Sequence, residues 1–139
     1  MAEAKVIEQV AASADEVFSK LGDFKGIEVG PGINGVDYEG EGIGMTRAIH
    51  LPNGSVVERL EAYDEQNRTW TYAIINDDSP LPFSDYSATV IVKDNGDDTT
   101  TVHWTGTFQP RGVDEAQAVK FASAIYSNAI KGARAALEN

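Results

Sequence analysis

With 139 residues and neither an internal repeat nor a low-complexity linker, the chain is expected to form one domain over residues 1–139, long enough to bury a core without cross-links. Cysteine is absent, which removes disulfides, thiolate metal sites and a cysteine nucleophile; the two histidines, His50 and His103, stand in no pattern that pairs ligands, so neither a metal nor a cofactor is expected. Eleven Lys and Arg against 22 Asp and Glu give a formal charge of -11, which repels phosphate backbones and anionic bilayers, so nucleic acid is not an expected partner.

The opening "MAEAKVIEQV" has no apolar run behind basic residues, and no segment reaches the roughly 20 apolar residues of a membrane span, so a cytoplasmic protein without a span is expected. Residues 5–10 read as a short strand. In "SADEVFSKLGDF", Ser13 is placed as an N-cap with Glu16 as its capping-box partner, opening a short helix. The segment "KGIEVGPGINGVDYEGEGIG" has too many glycines for a helix and reads as irregular chain passing into a strand at 36–39. It carries no G-K-[ST] and has no strand-to-helix context, so it is not a phosphate loop.

From residue 44 the pattern is an antiparallel meander, with strands near 44–51, 55–63, 69–76, 85–93 and 99–108 separated by "PNG", "DEQN", "DDSPLPFS" and "DNGDD". Asp114 then caps a long alanine-rich helix, "EAQAVKFASAIYSNAIKGARAAL". Its sheet-facing side is expected to carry Ala118, Phe121, Ala122, Ile125, Ala129, Gly132, Ala133 and Ala136. Small residues there either bring the helix close to the sheet or leave space between them.

Strand alternation raises one question of chemistry. In "VVERLEAYD", Val56, Glu58, Leu60 and Ala62 share one face and Val57, Arg59, Glu61 and Tyr63 the other, so a carboxylate falls on the apolar side, where it is costly unless paired, hydrated or used. If "PNG" turns the chain, Ile49 lies opposite Glu58 and Arg47 opposite Leu60, which makes Arg47 and Glu58 diagonal neighbours able to pair. Three roles stay open for Glu58: half of a buried ion pair, a polar anchor for a ligand, or a catalytic group.

Taken together, "ASADEVFSKLGDF", "GEGIGMTR", "VVERLEAYD", "PLPFSDYSATVIV" and "TFQP" resemble the SRPBCC or START-like superfamily in its polyketide cyclase/dehydratase-like branch, over essentially the whole chain. The resemblance implies an α+β helix-grip fold: a seven-stranded curved antiparallel sheet wrapped around a long C-terminal helix, with two short helices after the first strand and a hydrophobic cavity inside. The same stretches are similar to the plant abscisic acid receptors, whose gate and latch loops would fall on residues 51–55 and 77–83 and ring the cavity mouth. The lysine on which those receptors anchor a carboxylate has no counterpart in "PGINGV".

The resemblance and the alternation together nominate Arg47, Ile49, Glu58, Leu60, Tyr72, Ile74, Tyr86, Ala88, Trp104, Phe121, Ile125 and Ala129 as ligand-binding residues. Tyr72 and Tyr86 carry phenols that can donate to a ligand or find a partner in the core. Trp104 alternates with Val102 and Phe108 and is expected inside, with His103 outside. The function that follows is binding of a small hydrophobic, polyketide-, aromatic- or lipid-like molecule. A cofactor-independent polyketide cyclase/dehydratase using Glu58 or a tyrosine for proton transfer is the alternative. A stress-related partner-binding protein with an exposed apolar patch at "PLPF" is a further one.

Overall fold

Residues 1–138 are described by a computed structural model. The alternating segments form β1 (Ala2–Val10), β2 (Gly35–Glu39), β3 (Thr46–Leu51), β4 (Gly54–Asp64), β5 (Thr69–Ile74), β6 (Phe83–Asp94) and β7 (Thr100–Pro110), with helix α1 (Ala14–Leu21) after β1 and α2 (Glu115–Leu137) after β7. All pairings are antiparallel and the strand order is β1-β7-β6-β5-β4-β3-β2. This is the expected helix-grip architecture. Its first two strands lie at opposite edges, so α1 and the irregular segment 22–34 must cross from one edge of the sheet to the other.

Both helices begin where the sequence places caps. Ser13 Oγ accepts the Glu16 N–H at 3.2 Å and donates to the Glu16 carboxylate at 2.9 Å, and Asp114 accepts the Gln117 N–H at 2.8 Å. The second short helix does not form. After Leu21 there is only a tight turn at 23–26, where the Gly26 N–H donates to the Asp23 carbonyl at 3.0 Å, followed by a Gly30–Ile33 bridge; glycines and Pro31 deny this stretch a helical ladder.

Two register details differ from the sequence reading. The β3–β4 hairpin closes over only Pro52 and Asn53, with Leu51 opposite Gly54, so Arg47 lies directly opposite Glu58 and Ile49 opposite Val56. A two-residue turn matches strand twist better than the longer connection assumed from "PNG". In β4 a bulge between Leu60 and Ala62 inserts a residue, after which Tyr63 pairs with Trp70 and its ring packs 5.4 Å from Phe18, while Ala62 is exposed. The bulge reverses the alternation, turning Tyr63 inward and Ala62 outward.

The core fills the concave face of the sheet. Its rows run across strands: Leu60, Tyr72, Ala88, Gly106 and Ala4 form one, and Trp70, Val90, Trp104 and Val6 the next. Helix α2 lies on this face and buries Ala118, Ala122, Tyr126, Ile130 and Ala133. These form a ridge at spacings of four and three, rotated from the face expected. Phe121, expected against the sheet, is 46% exposed, with its ring 6.0 Å from that of Phe83.

Candidate functional site

At the β3–β4 step, the sequence-nominated pair is formed and buried. Arg47 donates through Nε to Glu58 Oε1 at 2.8 Å, its Nη2 forms an ion pair with the same oxygen at 2.7 Å, and its Nη1 donates to the Phe24 carbonyl at 2.8 Å. The guanidinium also lies 4.1 Å from the centroid of the Phe24 ring. Arg47 is therefore shared between a carboxylate and the irregular segment that crosses the sheet. The pair offsets two desolvation penalties and pins Phe24 over Trp70, whose ring it meets edge-on at 6.2 Å.

One row further along, three phenols form a chain. Tyr72 and Tyr86 lie hydroxyl to hydroxyl at 2.9 Å, and Tyr86 and Tyr126 at 2.6 Å. Gly106 makes this possible: a Cβ there would stand 1.9 Å from the Tyr126 hydroxyl, so only a residue without a side chain lets the helix bring Tyr126 down onto the sheet. Tyr126 then stacks on Trp104 at 5.1 Å. Burial pushes the Tyr126 phenol up to about 12 and those of Tyr72 and Tyr86 well above the ordinary tyrosine value, so all three are neutral donors and acceptors over the physiological range. Tyr72 and Tyr86, nominated as ligand donors, have each other and Tyr126 as partners.

Beyond Tyr126 the packing changes. α2 presents Ala129, Gly132, Ala133 and Ala136, and its far flank is tied to β1 by polar bonds: Ser127 donates to Glu8 at 2.7 Å, Arg134 meets Glu8 at 3.0 Å and donates to the Gln9 carbonyl at 2.8 Å. Held by that flank, the helix leaves a groove of about 730 Å³ on its other side, between Trp70 and Trp104 on the sheet and Leu21, Ile27 and Ile33 from α1 and the crossing segment. Lys20, Asp23 and Glu28 stand at its rim, with Lys20 3.7 Å from Glu28. Trp70 and Trp104 are 2% and 6% exposed, and among the described residues neither indole N–H has a hydrogen-bond partner.

Of the nominated residues, Arg47, Trp104 and Ala129 line this groove. Leu60 lines a separate recess of about 640 Å³ with Phe24, Ile43, Met45 and Tyr63. Ile49, Glu58, Tyr72, Ile74, Tyr86, Ala88, Phe121 and Ile125 line neither. Trp70, Tyr126 and Gly106 were missed. Alternation with Tyr72 in "TWTYAI" points to Trp70, and the ridge through Ala118, Ala122 and Ile130 points to Tyr126. Nothing local marks Gly106.

The loops at 51–55 and 77–83 contribute no residue to the groove. Arg111 ties the second of them down, donating to the carbonyls of Asp77 (2.8 Å), Leu81 (3.0 Å) and Ser79, and Pro80 lies against Gly54 of the first. Phe83 is buried and Leu81 packs on the core, so "PLPF" does not form the exposed apolar patch that a docking surface requires.

An antiparallel seven-stranded sheet gripping one long helix, with an aromatic floor and an apolar groove, defines the class, and the chain belongs to the polyketide cyclase / dehydrase and lipid transport family, whose model matches residues 1–138. Among solved structures it is similar to the protein XoxI from Bacillus cereus, at 29% identity and TM-score 0.86, with 100% of this chain and 97% of that one covered. A protein from Bacillus thuringiensis is 28% identical, with TM-score 0.85 and 99% and 100% of the two chains covered. Ara h 8.0201 shares the fold alone, at 16% identity and TM-score 0.77 over 96% of this chain and 94% of that one. No curated protein matches the chain. No helix among the described residues is long and apolar enough to cross a membrane.

Proposed function

We propose that the protein binds a small hydrophobic molecule in the groove between Trp70 and Trp104 and the second half of α2. The observation that carries this reading is the groove itself: about 730 Å³, floored by two indoles and walled by Ala129, Gly132 and Ala136, which lies within the roughly 300–1,000 Å³ usual for ligand sites. The family description, with its cyclase and lipid-transport members, supports an apolar cargo or substrate. The binding reading needs no base, and the three phenols supply none, since burial holds their protons on.

Gly132→Leu tests it. A Cβ at Gly132 meets nothing within 4 Å, so the leucine projects into open groove, and replacing a helical glycine adds roughly 0.5–1 kcal/mol of stability. Binding of an environment-sensitive apolar dye should fall while the melting temperature holds or rises. Undiminished dye binding by a folded Gly132→Leu protein removes the groove from consideration. Cyclisation or dehydration is the second reading and rests on the family description; its proton acceptor would be Glu58, which lies behind Arg47, and it requires turnover of a polyketide-like substrate that is lost in Glu58→Gln.

A further inference from the structure

Resting on the groove as the binding site, we infer that its polar anchors are the indole N–H groups of Trp70 and Trp104, and that the ligand they select carries an uncharged carbonyl oxygen rather than a carboxylate or a phosphate. Both donors are buried without a partner among the described residues, although both rings line the groove. A buried N–H left unpaired carries a desolvation penalty that an arriving acceptor removes, so a ligand offering that acceptor gains over one that does not. The rings are 6.5 Å apart and inclined at 65°, so the two donors belong to one aromatic corner.

The charge state follows from what surrounds that corner. The cation there, Arg47, has its Nε and Nη2 on Glu58 and its Nη1 on the Phe24 carbonyl. Lys20, the other cation lining the groove, stands 3.7 Å from Glu28 at the rim, so no unmatched positive charge is left to offset the desolvation of an anion, and Asp23 opposes one. A ketone, ester or amide oxygen meets no such penalty and has two lone pairs for N–H donors. Phe24, whose carbonyl Arg47 holds, packs edge-on to Trp70. Among the described residues the crossing segment 22–34 forms no helix or ladder strand; it is held by the Arg47–Phe24 carbonyl bond, the Asp23–Gly26 turn, the Gly30–Ile33 bridge and the Asn34 N–H on the His50 carbonyl.

The chain has only two tryptophans, so each anchor gives its own indole cross-peak in a ¹⁵N–¹H spectrum of the intact protein. Three matched probes are titrated: 2-acetylnaphthalene, 2-ethylnaphthalene and 2-naphthoate. The expected result is that all carbonyl-dependent change is confined to the ketone: it binds about five- to tenfold tighter than the hydrocarbon, as one net hydrogen bond provides, and moves at least one indole N–H resonance downfield in a saturable manner. Trp104→Phe and Trp70→Phe, which keep an aromatic ring without the N–H, should shrink that preference. Equal binding of ketone and hydrocarbon with unmoved indole protons overturns the anchors while leaving the groove intact as a binding site. Strongest binding of 2-naphthoate overturns the neutral-acceptor assignment. If none of the three binds, the groove reading falls and the anchors with it.

Discussion

The two halves of α2 meet the same sheet in opposite ways. The first half is closed: Tyr126 sits over Gly106, its hydroxyl continues a chain through Tyr86 to Tyr72, and Phe83 packs between Phe108 at 4.5 Å and Tyr86 at 5.1 Å. The second half buries Ile130 and Ala133, is tied by polar bonds to β1 through Ser127 and Arg134, and turns alanines and a glycine towards two indoles whose N–H groups have no partner among the described residues. One end spends its polar groups on itself and fixes the helix, while the other leaves them unspent beside empty volume. Stability and ligand recognition can therefore be altered separately.

Arg47 stands where the two regimes meet, and the largest expected effect comes from stripping it of its partner. Glu58→Gln leaves a buried guanidinium with the Phe24 carbonyl and a neutral amide, at a cost of about 3–5 kcal/mol by denaturant unfolding. Apolar-probe affinity among folded molecules should change little, because Glu58 does not line the groove. A loss of affinity larger than the loss of stability would make Glu58 a ligand anchor instead.

Alkaline titration addresses the closed half. Tyr126 holds its proton up to about 12 in the folded state, whereas an unfolded tyrosine releases it near 10, so the folded chain binds more protons in between and its stability falls as pH rises through that window. The contribution of this one group is on the order of 2 kcal/mol, complete below pH 10 and lost towards pH 12. Tyr126→Phe should flatten the slope of unfolding free energy against pH. An unchanged slope would mean the chain of hydroxyls is not buried in solution.

Gly106→Ala sharpens the same point sterically. Its Cβ would meet the Tyr126 hydroxyl at 1.9 Å, and the repacking should cost about 1–3 kcal/mol. Adding Tyr126→Phe should recover part of this, because the ring carbon beneath lies at 3.0 Å and still crowds the new methyl. Strict additivity of the two changes would count against a direct contact. The smallest effect is expected at Arg111→Lys, which keeps the charge but loses the fork that reaches the carbonyls of Asp77, Ser79 and Leu81. Amide exchange across 77–83 should accelerate, with about 1 kcal/mol or less lost globally and dye binding in the groove unmoved. Altered dye binding would tie that loop to the groove despite its position.

Local chemistry was sufficient for much of this molecule. Ser13 and Asp114 declare the helix starts, the turn clusters mark the strands, and Glu58 on an apolar face asks for a partner that Arg47 supplies. These features depend on neighbours close in sequence or across one hairpin, where period and reach settle the outcome. The register around them was not settled that way: a tighter turn moved the β3–β4 pairing by two residues and a bulge after Leu60 turned Tyr63 towards Phe18, because neither changes the pattern of apolar residues enough to be seen. The candidate site lay further from view. Whether α2's small residues close on the sheet or stand away from it depends on Gly106 receiving Tyr126, on β1 holding one flank of the helix, and on a glycine-rich segment crossing beside Trp70. Each of these joins residues far apart in the chain, and volume left unfilled is a property of all the surfaces around it, which no single stretch of sequence carries.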